Sequence, residues 1–143
     1  MTNSNAKVIF DTNVWISFLI GKRLKKLRKF ITDNRITVIT TDQLLTEIKI
    51  VTARKKLKKY FPEESVKELM ELLEIIAERV QIKPTNFLNR DPKDSFLLDL
   101  IEYSKADYLV TGDKDLIEIN KFKTAKILTV AEFERELSES ENH

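Results

Sequence analysis

The stretch Lys7-Val-Ile-Phe-Asp-Thr-Asn-Val-Trp-Ile-Ser17 decides the fold. Its apolar run Val8-Ile-Phe10 is typical of a buried strand, and the run ends at an acid, Asp11. Thr12 and Asn13, both good helix N-caps, come next, followed by an apolar helix-like segment. Asp11 is therefore predicted at the carboxyl end of the first strand, where ligands bind in open parallel α/β sheets. Asp11 has the alternative of a solvated turn residue, although its position at the end of a buried strand favours a functional site, and the other acids must decide.

Strand and helix patterns alternate along the rest of the chain. Further strands are predicted at residues 36–40, 80–82, 107–111 and 125–129, with helices between them, one of them over residues 22–34. The links are short and no two-residue hairpin is evident. The pattern predicts parallel β-α units in a three-layer α/β/α sandwich with a central parallel sheet of about five strands. One domain is expected over residues 1–143, with an ordered core from about residue 7 to residue 137.

Composition excludes several kinds of site. The chain of 143 residues has no cysteine and a single histidine, His143, so thiolate zinc sites and histidine-based catalysis are excluded. A metal ion would have to be held by oxygen, which favours Mg²⁺ or Mn²⁺. With only two glycines, Gly21 and Gly112, the chain cannot form a glycine-rich phosphate loop. No signal-peptide or membrane-spanning segment is evident, so a cytoplasmic protein with no membrane partner is expected.

Five acids lie just after predicted strands or on the helices next to them. Asp11 ends the first strand, Glu47 lies on the helix after the second, and Asp94 begins the helix that precedes the fourth. Asp113 and Asp115 follow the fourth strand. Because the strands are predicted to be parallel, all five acids are expected at one sheet edge. Clustered carboxylates repel one another, and a divalent cation would relieve that repulsion.

Each of these acids also has a purely structural alternative. Asp94 could be a helix N-cap, and Glu47 could be a solvated helix residue. Asp113 and Asp115 could be turn formers, since Gly-Asp is turn chemistry. The basic residues concentrated in 22–59 leave two alternatives open as well, because they could bind a polyanion or form a solvated helix surface.

Three stretches together resemble the PIN-domain nucleases. They are Asp11-Thr-Asn-Val-Trp-Ile-Ser17, Asp91-Pro-Lys-Asp94 and Asp107-Tyr-Leu-Val-Thr-Gly-Asp-Lys-Asp-Leu116. Within that family, the chain is most similar to VapC-like toxins of toxin–antitoxin systems. The resemblance implies an endoribonuclease that depends on Mg²⁺ or Mn²⁺, forms a homodimer and is held silent by a cognate antitoxin protein.

The resemblance also assigns roles to individual residues. The residues matched to the catalytic acids are Asp11, Glu47, Asp94 and Asp113, with Asp91 as a less favoured neighbour of Asp94. Metal ligands are expected at Asp11, Asp94, Asp113 and Asp115, and supporting polar groups at Asn13 and Thr111. Independently of the resemblance, the basic residues concentrated in 22–59 are expected to contact the RNA backbone, through Lys22, Arg23, Lys25, Lys26, Arg54, Lys55 and Lys56. The chain departs from many VapC-like sequences in having Ser95-Phe-Leu-Leu-Asp-Leu-Ile-Glu-Tyr103 in place of an alanine-rich helix.

Three other functions are alternatives to a toxin nuclease. A haloacid-dehalogenase-type phosphatase also begins with a strand-end aspartate, but it needs acids where this chain has Asn13 and Ile117. A non-catalytic PIN-like module would bind RNA or protein without cleavage. A PIN nuclease of RNA maturation would share the chemistry and differ in its biological role.

Overall fold

The structure is a computed structural model that describes residues 5–20, 28–29, 33, 35–56, 58–83 and 92–141. For residues 92–94 and 139–141 it describes the backbone alone. Most of the helix predicted over residues 22–34 lies outside the described residues.

The described residues form six strands and six α-helices. The strands are β1 (Ala6–Phe10), β2 (Ile36–Thr40), β3 (Glu78–Arg79), β4 (Tyr108–Val110), β5 (Lys121–Phe122) and β6 (Ala125–Leu128). The helices are α1 (Thr12–Ile20), α2 (Asp42–Thr52), α3 (Glu63–Ile76), α4 (Pro92–Ser104), α5 (Lys114–Ile119) and α6 (Val130–Glu141), and a 3₁₀ turn covers Lys58–Tyr60. None of the described helices is long and apolar enough to cross a membrane.

The strands form one sheet in the order β3-β2-β1-β4-β6-β5. All neighbouring strands are parallel except β5 and β6. The predicted α/β sandwich with a central parallel sheet of about five strands is confirmed: five of the six strands are parallel, and β5 adds an antiparallel strand at one edge. The register pairs Ile9 with both Ile39 and Leu109, so β1 lies at the centre of the sheet.

Two strand predictions need correction. The third strand covers Glu78–Arg79 instead of Val80–Ile82, because its partner β2 ends at Thr40, which pairs with Arg79. A two-residue hairpin, which the sequence did not reveal, joins β5 to β6 and pairs Phe122 with Ala125. Its turn places Lys123 at φ 54°, a left-handed conformation that lysine rarely adopts. Because the turn residues are Lys123 and Thr124 instead of Asn-Gly, the sequence carried no hairpin signal there.

Apolar side chains cover both faces of the sheet. On one face, Phe10 packs in a cluster with Trp15 and Phe18 of α1, together with residues of α2, α3 and α6. On the other face, Ile9 and Leu109 pack with α4, whose residues 96–98, 100 and 101 are all buried. Burial on both faces explains why β1 reads as a continuous apolar run.

The start of α6 is fixed by a reciprocal capping box. The Glu132 backbone N–H donates to the Thr129 hydroxyl over 3.2 Å, and the Thr129 backbone N–H donates to the Glu132 carboxylate over 3.0 Å. The hydrogen bond from the Thr129 backbone N–H to the Glu132 carboxylate is the main reason that the pKa of Glu132 is lowered.

Tyr108, the first residue of β4, joins the sheet to α6. Its hydroxyl donates to Glu136 over 2.8 Å, and Lys126 contacts the same carboxylate at 3.2 Å. Burial, followed by the hydrogen bond to Glu136, raises the pKa of Tyr108 from 10.0 to about 12. The neutral phenol is therefore the form that stabilises the fold.

We expect the stability difference between the native protein and Tyr108→Phe to depend on pH. Because the folded pKa lies above the unfolded pKa of 10.0, the contribution is complete below pH 10 and is lost as pH rises through about 12. Urea unfolding at a series of pH values should show a constant difference up to pH 10 that shrinks above it. The control is Tyr103→Phe at a 43% exposed position. A Tyr108→Phe difference that stayed constant to pH 12 would contradict this expectation.

Candidate active site at the carboxyl edge of the sheet

Asp11 and Thr111 lie at the point where the strand order reverses. The chain proceeds from β1 outwards through β2 to β3, and then crosses to β4 on the other side of β1. A crevice opens at the carboxyl ends of the strands at such a switch point, and ligands bind there in open α/β sheets. Asp11 directly follows β1 and Thr111 directly follows β4. The two residues therefore lie at the two sides of the switch point.

The Asp11 carboxylate is buried and accepts hydrogen bonds at both oxygens. The residue is 7% exposed. Thr111 Oγ1 donates to Oδ2 over 2.8 Å, and the Thr12 backbone N–H donates to Oδ1 over 2.6 Å. Donors at both oxygens offset the loss of water around a buried carboxylate. The Asp11 backbone is held as well, since its N–H donates to the Val110 carbonyl over 3.0 Å.

Asp11 also caps the helix that follows it. The Asp11 carbonyl accepts hydrogen bonds from the N–H groups of Val14 and Trp15, at 3.0 and 3.2 Å. Helix α1 therefore begins at Thr12 with Asp11 as its N-cap, one residue earlier than a cap at Thr12 would place it and two residues earlier than a cap at Asn13. One residue thus ends the strand, starts the helix and presents the carboxylate.

Thr12 links two carboxylates that lie 36 positions apart in the chain, Asp11 and Glu47. Its hydroxyl donates to Glu47 Oε2 over 2.9 Å, while its backbone N–H donates to Asp11. Thr12 is 1% exposed. The helices that carry Thr12 and Glu47, α1 and α2, are in contact. A buried β-branched side chain has little rotamer freedom, so Thr12 holds the Glu47 carboxylate in a defined position.

Asp113 is connected to Asp11 through a single hydroxyl group. The Thr111 hydroxyl donates its proton to Asp11 and accepts the Asp113 backbone N–H over 3.1 Å. Asp113 Oδ1 accepts from the Asp115 N–H over 2.9 Å and so caps α5. Asp113 is half-buried and Asp115 is exposed. Asp113 therefore has a local structural role, as the cap of α5, and also belongs to the hydrogen-bonded group around Asp11.

Continuous hydrogen bonding runs from Glu47 through Thr12, Asp11 and Thr111 to Asp113, and we call these five residues the carboxylate network. Asp11 and Thr111 directly follow β1 and β4, Thr12 begins α1, Glu47 lies in the middle of α2, and Asp113 caps α5. The network thus links three of the predicted catalytic acids, Asp11 and Glu47 through their carboxylates and Asp113 through its backbone N–H.

The remaining predicted acids and support residues are less closely defined. Asp94 lies in the first turn of α4, which begins at Pro92, and its side chain is outside the described part. Because α4 precedes β4 in a parallel arrangement, the first turn of α4 lies at the same sheet edge. Asp91 lies outside the described residues. Asn13 is exposed, and its support of Asp11 stays a prediction.

The donor set suits a hard divalent cation. All the candidate ligands are carboxylate oxygens, which Mg²⁺ and Mn²⁺ prefer. Among the side chains that the structure describes, no three acids form a group able to hold a metal ion. Asp11, Glu47 and Asp113 are therefore linked by hydrogen bonds but do not by themselves form such a group. The predicted metal-ligand set, which includes Asp94, stays a prediction.

The predicted RNA-contacting cations divide into two groups. Arg54, Lys55 and Lys56 follow α2 and are all exposed. The others, Lys22, Arg23, Lys25 and Lys26, lie outside the described residues.

Comparison with known families agrees with this architecture. The family model described as PIN domain matches residues 7–115, a span that runs from β1 through the first turn of α5 and includes the whole carboxylate network. The chain belongs to the PIN domain family. A search of curated proteins returned no significant match. The match confirms the family that the three sequence stretches suggested, and PIN domains as a family are nucleases.

Sequence reasoning missed Thr12 as a site residue of this PIN domain. It treated Thr12 only as a helix cap, although a hydroxyl residue next to a strand-end acid is well placed to contact a second carboxylate. The signal was the Asp-Thr pair itself. What was absent from the sequence was any indication that α2 would bring Glu47 within hydrogen-bond distance.

We expect Thr111→Val to lower the free energy of unfolding by about 2 kcal/mol, because it removes a buried donor to a carboxylate while keeping the side-chain shape. The matched control is Thr40→Val. Thr40 is also buried at the end of a central strand, but its hydroxyl has no hydrogen-bond partner within the described part of the chain. The control should therefore be neutral or slightly stabilising. Urea unfolding of both variants checks this, and equal losses from the two would contradict the role given to Thr111.

Proposed function

We propose that this PIN domain is a metal-dependent endoribonuclease and the toxin of a type II toxin–antitoxin pair. The observation that carries the nuclease proposal is the carboxylate network, which lies at the strand switch point of a member of a nuclease family. Its acids are the residue type that phosphodiester hydrolysis with Mg²⁺ or Mn²⁺ requires.

Each residue has a defined part in the proposal. Asp11, Asp94 and Asp113 would bind one or two cations, with Glu47 and Asp115 completing the shell directly or through water. When bound, such a cation would supply a water of lowered pKa and would neutralise charge on the phosphoryl oxygens. Thr111 has only one hydroxyl proton, which it donates to Asp11, so its part is to orient that carboxylate. Thr12 does the same for Glu47.

The exposed cations after α2 would hold the substrate. Arg54, Lys55 and Lys56 lie on the segment that follows the Glu47-bearing helix, and they would attract the phosphate backbone of a single strand. Cleavage would leave 5′-phosphate and 3′-hydroxyl ends.

The toxin assignment, the cognate antitoxin and the homodimer are supported by the sequence resemblance to VapC-like chains. A separate test applies to them. Expression should arrest growth, and co-expression of a small neighbouring gene should relieve the arrest. Growth without arrest would favour a PIN nuclease of RNA maturation.

We expect Asp11→Asn to lower Mg²⁺-dependent cleavage of single-stranded RNA by more than about 100-fold, because loss of a direct ligand should exceed the effect of losing an outer-shell partner. The matched control is Asp107→Asn. Asp107 is an exposed acid at the opposite end of β4, where it accepts the Lys7 N–H over 2.9 Å. The control should retain full activity.

Full activity of Asp11→Asn would refute the assignment. Cleavage by the native protein that persists in excess chelator would refute the metal dependence. RNA binding without metal-stimulated cleavage on any substrate would favour the non-catalytic module.

We expect Thr12→Val to weaken Mn²⁺ binding and cleavage by about 10- to 100-fold, since outer-shell partners of metal ligands have effects of that size. Thr12→Ser keeps the hydroxyl and should restore most of both. Mn²⁺ binding is followed directly by electron paramagnetic resonance, so the result does not depend on turnover. If Thr12→Val bound Mn²⁺ as tightly as the native protein does, Thr12 would have no positioning role.

A further inference from the structure

A pocket separate from the carboxylate network lies between α2 and α3. Its volume is about 640 Å³, within the range of ligand-binding clefts. Its walls come from the C-terminal end of α2, from the segment around the 3₁₀ turn and from the first half of α3. The nuclease proposal gives this pocket no role.

The lining combines an apolar surface with a cationic rim. Phe61, Pro62, Val66 and Met70 supply apolar surface. Three lysines line the same pocket against one acid: Lys49, Lys58 and Lys67 against Glu63. All three lysines are exposed, and none has an ion-pair partner among the described residues. The pocket lining therefore carries a net positive charge, three lysines against one glutamate.

The aromatic groups around the pocket are poorly suited to stacking on RNA bases. Proteins that bind single strands stack bases on open aromatic faces. Phe61 is only 3% exposed, so its ring lies mostly within the protein. Tyr60 is 51% exposed but does not line the pocket, and the Lys59 ammonium lies 5.0 Å from its ring centroid. The apolar surface instead suits aliphatic or aromatic side chains of a protein.

We propose that this pocket is a docking site for an acidic amphipathic segment of a partner protein. One or two apolar side chains of that segment would lie against Val66, Met70 and Pro62, and its Asp or Glu residues would pair with the rim lysines. A cleft between two helices is a common receptor for an amphipathic helix. Charge complementarity selects an acidic partner, because a basic or neutral segment would leave the lysines uncompensated.

The pocket also adjoins the helix that carries Glu47. Lys49 lies two residues further along α2, so an occupant would contact the helix that positions one acid of the site. The docking proposal does not depend on the nuclease proposal, since it rests on the pocket lining alone.

A random dodecapeptide display library selected on the purified full chain tests the proposal. Retained peptides should be enriched in Asp and Glu and contain at least two apolar residues. A synthetic, fluorescently labelled copy of a retained peptide is then titrated by anisotropy. Lys58→Glu/Lys67→Glu should weaken its binding by about tenfold or more, because two favourable pairs become repulsive.

Two further variants separate pocket occupancy from long-range charge. Ala53→Trp changes an exposed pocket residue and should block binding by filling the space without altering charge. Lys105→Glu/Lys121→Glu makes the same charge change at exposed positions outside the pocket and should bind the peptide like the native protein. Asp11→Asn should also bind normally, so loss of cleavage and loss of docking are distinguishable.

Three results would overturn the proposal. They are failure to retain acidic amphipathic peptides, equal binding by the native and pocket-altered proteins, and equal weakening by the control pair Lys105→Glu/Lys121→Glu. A labelled single-stranded RNA that lost affinity for the pocket variants, without any peptide effect, would instead assign the surface to RNA.

Discussion

The hydrogen bond from the Thr111 hydroxyl to the Asp11 carboxylate joins the ends of two central strands that are 100 residues apart in the chain. It forms because β1 and β4 are adjacent and in register, with Phe10 opposite Val110. Residues 8–10 of β1 are fully buried, so the strand end that presents Asp11 cannot move without disturbing the core on both faces. The position of the carboxylate is thereby set by the packing of the whole sheet.

The other members of the carboxylate network are connected to these two residues in different ways. Thr111 uses its one proton for Asp11 and its oxygen to accept from Asp113, so a single buried hydroxyl orders two acids. Thr12 adds Glu47 through a second hydroxyl. Thr12 joins the Asp11 and Glu47 carboxylates through its backbone N–H and its hydroxyl, and Thr111 joins the Asp11 carboxylate to the Asp113 backbone N–H. The Asp11 and Glu47 carboxylates are thus oriented by hydrogen bonds from the fold itself, as a preorganised site requires.

Local patterns were sufficient to predict much of this. The apolar run before Asp11, the acids after other strands and the resemblance of three stretches together predicted the fold class, the sheet edge and the acids that the network contains. What local patterns lacked was long-range pairing. The order of strands, which makes β1 and β4 neighbours, depends on packing between segments far apart in sequence. For that reason the acceptor of the Thr12 hydroxyl, Glu47, could not be assigned in advance, and Thr111 was expected to support the site only through the family resemblance. The β5–β6 hairpin escaped prediction because lysine occupies a backbone conformation that usually signals glycine or asparagine.

The most direct test of the central claim is a crystal structure of the protein soaked in Mn²⁺, with data collected at the manganese absorption edge. The account predicts an anomalous peak at the carboxyl edge of the sheet, within bonding distance of carboxylate oxygens of Asp11 and Asp113, and the loss of that peak in Asp11→Asn crystals. A peak bound only elsewhere, or one at this edge that is unchanged by Asp11→Asn, would contradict it.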